Sequence, residues 1–378
     1  MIAETLKLLS FTYIISYISL LVIGSIKKIK VSNLYFLLTI IFALSVALWG
    51  YFLEPSIQMD LFRLQKHVDF VKNYPGDFLQ KMMPPDYEFT TMVTFNLLCY
   101  IVGCLDDVHF MSFISVFVVV AVVGVLIIKY IQKNNYSSRC VIIAYVLAFT
   151  GMQLQYVFSG IRNSMAIAMT SLALGIFVFS NLKNKRIFSG VLYFLAVMMH
   201  PVVLLVLVVY CLSRFPKQII VRILALGSLP AIFSISSILT LLPVGLFNYI
   251  GQRLLFYNQI AYEYDRPEVV ANITIFLVVG GAYFFYKRFN DSNTISIDFL
   301  NFYYLFGFLM LGTVMHRDIT LRIGYIMGLA SIPLVMEMMN SNNKRMKFIK
   351  KILYLTIFVC SSKVFFDTFV VFSQWKFN

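Results

Sequence analysis

Apolar runs close to twenty residues long recur along the whole chain and constrain its fold more than any other feature. A helix needs about 20 apolar residues to cross the hydrocarbon core of a bilayer. The chain has 378 residues, of which 60% are hydrophobic and 13% are charged. Soluble domains are roughly 45–50% apolar and about 25% charged. The sequence therefore predicts a polytopic membrane protein.

About twelve of these runs, separated by polar breaks, are predicted transmembrane helices. They cover residues 8–26, 34–53, 111–129, 140–157, 162–180, 184–199, 201–215, 219–241, 269–286, 299–315, 319–339 and 352–372. The first run is predicted to be a retained helix and not a signal peptide, because Glu4 stands early and no small-residue cleavage site follows. The predicted fold is an all-α transmembrane helical bundle that forms one integral membrane domain over residues 1–378.

Basic residues between the runs predict the orientation, since Lys and Arg collect on the cytoplasmic side of short loops. The clusters are Lys27/Lys28/Lys30, Lys129/Lys133/Arg139, Lys183/Lys185/Arg186, Arg214/Lys217/Arg222, Lys287/Arg288 and Lys344 through Lys351. All of them face the cytoplasm only if the weaker apolar segment 89–105 does not cross. We therefore predict a re-entrant or interfacial helix there, with both chain termini outside. The alternative is that 89–105 crosses and one basic cluster breaks the rule.

The formal net charge of +14 is explained mostly by this topology. The cations are spread over short loops and are not gathered on one face, so they do not indicate a nucleic-acid partner. With the sides assigned, all four histidines and most acidic residues fall outside, in part in the predicted outer loops 54–110 and 242–268. Any reaction is therefore expected at the outer face.

The segment DLFRLQKHVDF, residues 60–70, is predicted to be an interfacial helix. Helical spacing places Asp60, Arg63 and His67 on one side, and Leu61, Leu64 and Val68 form an adjoining apolar stripe. The polar edge would then be exposed beside the membrane. The alternative is an ordinary solvated surface helix.

Arg162 stands in FSGIRNSMAIAMT, at the outer end of a predicted helix in an otherwise apolar region. A cation there is costly unless it meets water, a partner or a substrate. Small neighbours allow close helix packing, and the planar guanidinium suits an anionic oxygen such as phosphate. The alternative is an arginine that snorkels to the interface.

Two further outer segments carry ionisable residues between apolar runs. In LAVMMHPVVLL, proline begins a new helix, so His200 is predicted at an extended hairpin tip. Its sequence neighbours offer no polar partner, and functional and structural roles are equally compatible with that position. In HRDITLR, His316 and Arg317 precede Asp318, a predicted N-cap, which places Arg322 one turn inside the next helix. An ordinary outer turn with locally paired charges is the alternative there.

The loop FNYIGQRLLFYNQIAYEYDRPE, residues 247–268, interleaves tyrosines with charged residues. Arg253 and Tyr257 lie in it as candidate glycan contacts, because aromatic rings and carboxylates suit sugar faces and hydroxyls. An aromatic belt at the water interface accounts equally for some of these tyrosines. The chain contains no P-loop, GxGxxG, HExxH or nucleophile elbow. Its five cysteines have neither metal-ligand spacing nor a disulfide framework, so no metal site is expected.

These segments together resemble the EpsG-like branch of the Wzy-type polysaccharide (O-antigen and capsule) polymerases. The resemblance rests on Asp-x-x-Arg at residues 60–63, Ile-Arg-Asn-x-x-Ala at 161–166, Met-His-Pro at 199–201 and Arg-Ile-Gly-Tyr at 322–325. It implies a GT-C-like, multi-pass protein of the bacterial inner membrane whose active site is on the periplasmic face. The implied activity transfers a growing glycan from undecaprenyl diphosphate to the non-reducing end of a new lipid-linked repeat unit.

The resemblance also implies roles for the candidate residues. The predicted catalytic residues are His200 and Asp60. The predicted diphosphate- and glycan-binding residues are Arg162, Arg322, Arg63, Arg253, Tyr257, His316 and Arg317. The residue chemistry agrees, because arginines can stabilise a diphosphate leaving group without a metal, and a histidine or carboxylate can activate an acceptor hydroxyl.

No cofactor is expected. The expected partners are undecaprenyl-diphosphate-linked oligosaccharide and membrane lipid, and a chain-length regulator and a flippase are further candidate partners. Three other functions remain open. An O-antigen ligase would use similar arginines and a similar histidine. A lipid-linked oligosaccharide flippase would be expected to show internal repeats and polar residues at mid-membrane depth. A membrane acyltransferase would place its histidine at a cytoplasmic acyl-CoA entrance.

Overall fold

The structure is a computed structural model that describes residues 33–55, 59–84, 89–137, 139–152, 154–179, 182–215, 267–289, 295–313, 317–341, 343, 345–374 and 376–377. The predicted spans 8–26 and 219–241 lie outside these residues. Nearly every described residue belongs to a helix, which confirms the prediction of a helical membrane-type fold.

The helices are numbered here in chain order among the described residues. They are α1 Asn33–Phe52, α2 Asp60–Asn73, α3 Phe78–Met82, α4 Val93–Cys104, α5 Phe110–Lys133, α6 Arg139–Met152, α7 Leu154–Ser159, α8 Ile161–Phe179, α9 Lys185–Met199, α10 Leu204–Leu212, α11 Pro267–Phe289, α12 Ile297–Gly312, α13 Arg317–Asn340 and α14 Met346–Gln374. A 3₁₀ turn, Pro201–Val203, joins α9 to α10. The predicted span 140–157 corresponds to two helices, α6 and α7, rather than one.

Four helical segments are long and apolar enough to cross a membrane, among the residues described. They are Tyr35–Phe52, Phe110–Lys133, Val269–Phe289 and Ile319–Asn340. Between 39% and 78% of each 18-residue window is buried inside the protein, so each of these helices is partly covered by the rest of the chain. Other predicted spans form shorter apolar helices, including Ile161–Phe177 and Ile297–Gly312.

The weaker segment 89–105 forms α4, a helix of 12 residues. At about 1.5 Å per residue it is about 18 Å long, well short of a hydrocarbon core about 30 Å thick. The amphipathic helices α2 and α3 both pack against it. Its length and its neighbours fit a re-entrant or interfacial position better than a crossing.

The ends of α1 and α14 are joined by a short antiparallel pair of strands, which the sequence did not predict. Leu53 of β1 (Leu53–Glu54) pairs with Phe377 of β2 (Lys376–Phe377), and Glu54 pairs with Lys376. Both strands follow directly after a long apolar helix. Their backbone hydrogen bonds hold the residues after α1 beside the residues after α14.

The described residues form two compact units. The first contains the chain up to Val146, then Met152–Leu204, and the end from Phe366. Within it, α5 packs against α1 and α8, and α9 packs against α8. A hydrogen bond of 2.7 Å between the hydroxyl groups of Thr39 and Tyr145 ties α1 to α6 inside this unit.

The second unit contains Leu147–Gly151 and Leu205–Phe365. Its centre is α13, which packs against α11 and α12. Close backbone contacts let these helices approach: a Cβ atom added at Gly328 would lie 2.8 Å from the Cα atom of Gly151. Small residues therefore hold this part of the bundle together.

Candidate anion-binding site around Arg162

Helix α2 places two of the predicted site residues at its exposed edge. Leu61, Leu64 and Val68 are almost completely buried, which confirms the predicted apolar stripe. On the neighbouring edge, Arg63 donates from Nη2 to Asp60 Oδ1 at 2.7 Å, and both side chains remain partly exposed.

His67 was predicted on the same exposed edge, and this prediction was wrong. Its side chain is buried, with 1% of its surface exposed. The ring lies between Phe70 and Phe95, with centroid distances of 5.6 Å and 5.5 Å and nearly parallel planes. Helical spacing gives the angular position of His67 on α2 but not the aromatic rings that α4 contributes on that side.

Arg162 is the second residue of α8, and its side chain points into the protein. Only 10% of the side chain is exposed. Its Cζ atom lies 4.4 Å from the centre of the Phe89 ring and 5.5 Å from that of Phe95, and Nη1 donates to the Met92 sulfur at 3.5 Å. The side chain is therefore buried among aromatic rings, which does not fit an arginine that snorkels to the interface.

The structure brings together Asp60, Arg63 and Arg162. Nη2 of Arg162 is 3.6 Å from Asp60 Oδ2, a looser contact than the bond from Arg63 to the same carboxylate. The Phe89 ring also lies 5.6 Å from the Arg63 Cζ atom. The cluster combines the guanidinium groups of Arg63 and Arg162 with the Asp60 carboxylate, and Arg162 is its buried member, whereas Arg63 and Asp60 are partly exposed. A charge buried in this way interacts with an opposite charge more strongly than it would in water.

A second layer of buried side chains supports Phe89, and sequence reasoning missed it. Asn96 of α4 donates from Nδ2 to the carbonyl oxygens of Met82 and Phe89, at 2.8 Å and 3.0 Å. Its Oδ1 lies 2.8 Å from His67 Nε2. The available signal was a lone amide in the apolar run TFNLLCYIVG, where a polar side chain needs partners.

His200 lies between α9 and the 3₁₀ turn, in the extended conformation that the following proline predicts, with φ −159° and ψ 123°. The expectation that it lacks a local polar partner was wrong. Its Nδ1 accepts a hydrogen bond from the backbone N–H of Val202 at 3.1 Å. The Tyr193 hydroxyl donates to the Val203 carbonyl at 2.7 Å and fixes the turn.

The antiparallel pair α8 and α9 brings His200 back toward the end at which Arg162 starts. Helix α8 runs away from Arg162 for 19 residues, and α9 returns for 15 residues, which is about 28 Å and about 22 Å respectively. The 3₁₀ turn that follows His200 packs against α8. Both residues therefore lie at the same end of this helical pair.

Arg322 is part of the second unit, one turn inside α13, as predicted. Asp318 was predicted as the N-cap of this helix, but α13 already begins at Arg317, so both residues are helical. The side chain of Arg322 is half-buried. Arg253, Tyr257 and His316 lie outside the described residues. The predicted role of Arg322 in binding the diphosphate or the glycan stays a prediction.

The turn between α4 and α5 is anchored by two carboxylates. Asp106 pairs with Lys72 of α2, and this pair raises the pKa of the lysine. Asp107 accepts from the Tyr51 hydroxyl at 2.6 Å and from the His109 backbone N–H at 2.9 Å. Burial favours a higher pKa for Asp107, but these hydrogen bonds and the nearby His109 hold that pKa below its ordinary value.

Helices of spanning length, joined by amphipathic and shorter apolar helices, define a helical membrane protein with a buried cationic cluster. The family model for the EpsG family matches residues 61–375, so the chain belongs to that family and is a membrane protein of polysaccharide biosynthesis. The matched region contains Arg63, Arg162, His200 and Arg322 and begins one residue after Asp60. No curated protein matches the chain. No solved structure matches it either.

Proposed function

We propose that the protein is a metal-independent glycosyltransferase of the Wzy type that polymerises oligosaccharide repeat units. Undecaprenyl-diphosphate-linked glycan would be transferred to the non-reducing end of another lipid-linked repeat, and undecaprenyl diphosphate would leave. The reaction would occur at the outer face of a bacterial cytoplasmic membrane. Membership in the EpsG family supports polysaccharide biosynthesis, and the Arg162 cluster supports this particular chemistry.

The observation that carries the proposal is the buried Arg162 guanidinium between aromatic rings and the Asp60–Arg63 pair. The leaving group of the proposed reaction is a diphosphate anchored in the membrane. Fixed cations in a poorly hydrated site can stabilise its developing charge. Arginine presents a planar fork that can bind two phosphate oxygens at once, which a lysine cannot do.

Asp60 has a positioning role in this proposal rather than the catalytic one predicted from the sequence. One of its oxygens already accepts a hydrogen bond from Arg63, and the other faces Arg162. These contacts keep two like charges close together and leave the more exposed Arg63 able to meet the sugar or phosphate. Proton abstraction by a carboxylate bound in this way is disfavoured.

His200 would donate a hydrogen bond in the same proposal. Its Nδ1 accepts from the Val202 N–H, and a neutral imidazole carries a single N–H. That N–H is therefore at Nε2, which can donate to an oxygen of the acceptor or of the phosphate. A general base would need an unprotonated Nε2. The capping hydrogen bond therefore favours His200 as a donor.

Contacts within the first unit support placing these residues on one side of the membrane. The β1–β2 pair links the ends of α1 and α14, Asp60 follows β1 closely, and Arg162 contacts Asp60. His200 shares the Arg162 end of the α8–α9 pair. The positive-inside rule, applied to the basic clusters, makes that side the outer one.

The test is reconstitution of purified protein in vesicles with one synthetic lipid-linked repeat unit. We expect wild-type protein to form a ladder of longer glycans without metal, nucleotide or any other acceptor. Arg162→Lys should reduce the ladder severely. The matched control is Arg288→Lys, because Arg288 also lies over a ring, that of Phe284 at 5.0 Å, but at an exposed position.

Three outcomes would contradict the proposal. A ladder of normal length from Arg162→Lys would show that only a positive charge is needed. Transfer that requires lipid A–core as acceptor would indicate a ligase. Movement of the lipid-linked repeat across the bilayer, with no bond formed between repeats, would indicate a flippase.

A further inference from the structure

Asn96 is the most completely bonded polar side chain described near the Arg162 cluster. It lies in the first turn of α4, in an apolar run, and has no exposed surface. A buried amide is costly unless its hydrogen bonds are satisfied. Its contacts are with Met82, Phe89 and His67, which belong to three separate parts of the chain.

The contacts of Asn96 fix the orientation of its amide group. The NH₂ group faces two carbonyl oxygens, those of Met82 and Phe89, and both can only accept. The amide oxygen must then face His67, and His67 must donate from Nε2. Asn96 therefore holds the backbone at Phe89 from one side while it holds the His67 ring from the other.

His67 in turn packs against the Phe89 ring. The two ring centres are 4.8 Å apart, with the planes at 72°, and Phe95 meets the Phe89 ring at 5.3 Å and 81°. Backbone and ring of Phe89 are thus both restrained. The Arg162 guanidinium rests over this restrained ring, 4.4 Å from the ring centre, and the Arg63 Cζ atom lies 5.6 Å from it.

We propose that Asn96, acting through Phe89 and assisted by His67, is the positioning residue that holds the Arg162 guanidinium ready for a phosphate oxygen. The inference rests on the proposed function, because it assigns Arg162 to diphosphate binding. A cation against a restrained aromatic face keeps its orientation before the ligand arrives, so less freedom is lost on binding. Asn96 itself touches neither the ligand nor the reacting atoms.

The experiment measures binding of sugar-free undecaprenyl diphosphate to the full-length protein in nanodiscs. Asn96→Asp keeps the size of the side chain but turns a carboxylate oxygen toward two carbonyl oxygens. We expect it to weaken binding by about tenfold or more. The matched control is Asn301→Asp, because Asn301 also donates from Nδ2 to a backbone carbonyl, that of Ser213 at 3.2 Å, in the second unit. It should change affinity less than about twofold.

Phe89→Leu is the second variant, because it removes the ring face while Asn96 keeps its backbone partners. Its binding affinity tests the positioning role if Asn96→Asp fails to fold. We also expect the effects of Phe89→Leu and Arg162→Lys on binding affinity to be non-additive by at least about threefold. Without the Phe89 ring the Arg162 guanidinium is no longer oriented, so its replacement by a lysine ammonium costs less affinity. A purely structural role would leave the two effects additive.

Two different failures can be told apart in this assay. If Arg162→Ala binds undecaprenyl diphosphate as well as wild-type protein does, the proposed anion site is wrong. If Arg162→Ala loses binding but folded Phe89→Leu keeps wild-type affinity, the anion site stands and the positioning role of Asn96 is overturned.

Discussion

Two segments of the chain that resemble the same family differ in what their key residues do. In the first unit, Arg162 of the Ile-Arg-Asn segment lies against aromatic rings and near a carboxylate, at the end of a helix. In the second unit, Gly324 of the Arg-Ile-Gly-Tyr segment lies under Asn272, and a Cβ atom there would be 2.1 Å from the Asn272 side chain. Arg162 is explained by its charge, and Gly324 by the lack of room for a side chain.

The difference teaches how to interpret short motifs in a membrane protein. An arginine that is buried at a helix end has a cost that packing alone does not recover, so a ligand is the natural reason to keep it. A glycine at a helix crossing lets backbones come close, which stabilises helix association in lipid. Substitution of the buried arginine should lower activity without lowering stability. Substitution of the glycine should lower activity only because it lowers stability.

The largest expected effect is the loss of activity in Arg162→Ala. We expect at least about a hundredfold lower rate of glycan extension, which is the usual cost of removing a fixed group that stabilises developing charge. Arg162→Met fills the space over Phe89 without a charge and should be equally inactive. The measurement is chain extension per folded protein, with the melting temperature recorded beside it. If both variants lose folded protein in parallel with activity, then Arg162 serves the packing of the protein and not its activity.

The next effect is on stability, at the crossing of α6 and α13. Gly328→Ala places a methyl group 2.8 Å from the Gly151 Cα atom, where only backbone could move away. Overpacking of this kind costs about 1–3 kcal/mol. Thermal unfolding in detergent measures it. The matched control is Gly281→Ala in α11, where nothing lies within 4 Å, so the added methyl should stabilise the helix slightly. Equal behaviour of the two variants would refute the packing explanation.

A smaller and more specific effect is expected at His200. His200→Gln can place an amide N–H close to the position of Nε2 and should keep part of the extension activity. His200→Asn can accept the hydrogen bond from the Val202 N–H, but its side chain is too short to reach the position of Nε2. We expect His200→Gln to exceed His200→Asn by about tenfold, the worth of one good hydrogen bond in a poorly hydrated site. The pH profiles of both should match that of wild-type protein. Loss in His200→Gln of the acidic limb, which is the fall in activity at low pH, would restore the general-base assignment.

The smallest expected effect is a pH dependence at the turn between α4 and α5. The native pKa of Asp107 is lowered, so its contribution to stability is present above the unfolded-state pKa, about 4, and is lost as the pH falls through the native value. Tyr51→Phe removes the donor hydroxyl and should lower the melting temperature at pH 6 more than at pH 3. Tyr100→Phe is the control, because its ring packs on Phe78. An equal effect of Tyr51→Phe at both pH values would contradict this origin.

The helices were the part of the fold that the sequence predicted best. The predicted spans 34–53 and 162–180 agree closely with α1 and α8, because a long apolar run in lipid has to satisfy its backbone groups within itself. The pairing of Leu53 with Phe377 could not be predicted, since two-residue strands have no periodicity. The division of the predicted span 140–157 into α6 and α7 was missed, because the span was drawn from its apolar residues, which continue from one helix into the other.

In the candidate site, the sequence identified the charged residues but not the residues that hold them. Asp60, Arg63 and Arg162 were recognisable because ionisable side chains are conspicuous beside apolar runs, and the structure places them in contact. Phe89 and Asn96 looked like an ordinary ring and a single amide in a weak apolar segment. Their role depends on contacts between residues far apart in the chain, and no local pattern encodes those contacts.

By itself, then, the sequence determined that the chain is a helical membrane protein, where most of its helices lie, and which cations need an explanation. Those properties depend on the free energy of transferring each segment from water to lipid, which is a sum of contributions from neighbouring residues. Only the tertiary structure decided that His67 is buried, that Arg162 rests on Phe89, and that the His200 side chain caps the Val202 N–H. These depend on which helix faces which, and that is fixed by packing and hydrogen bonding across the whole unit.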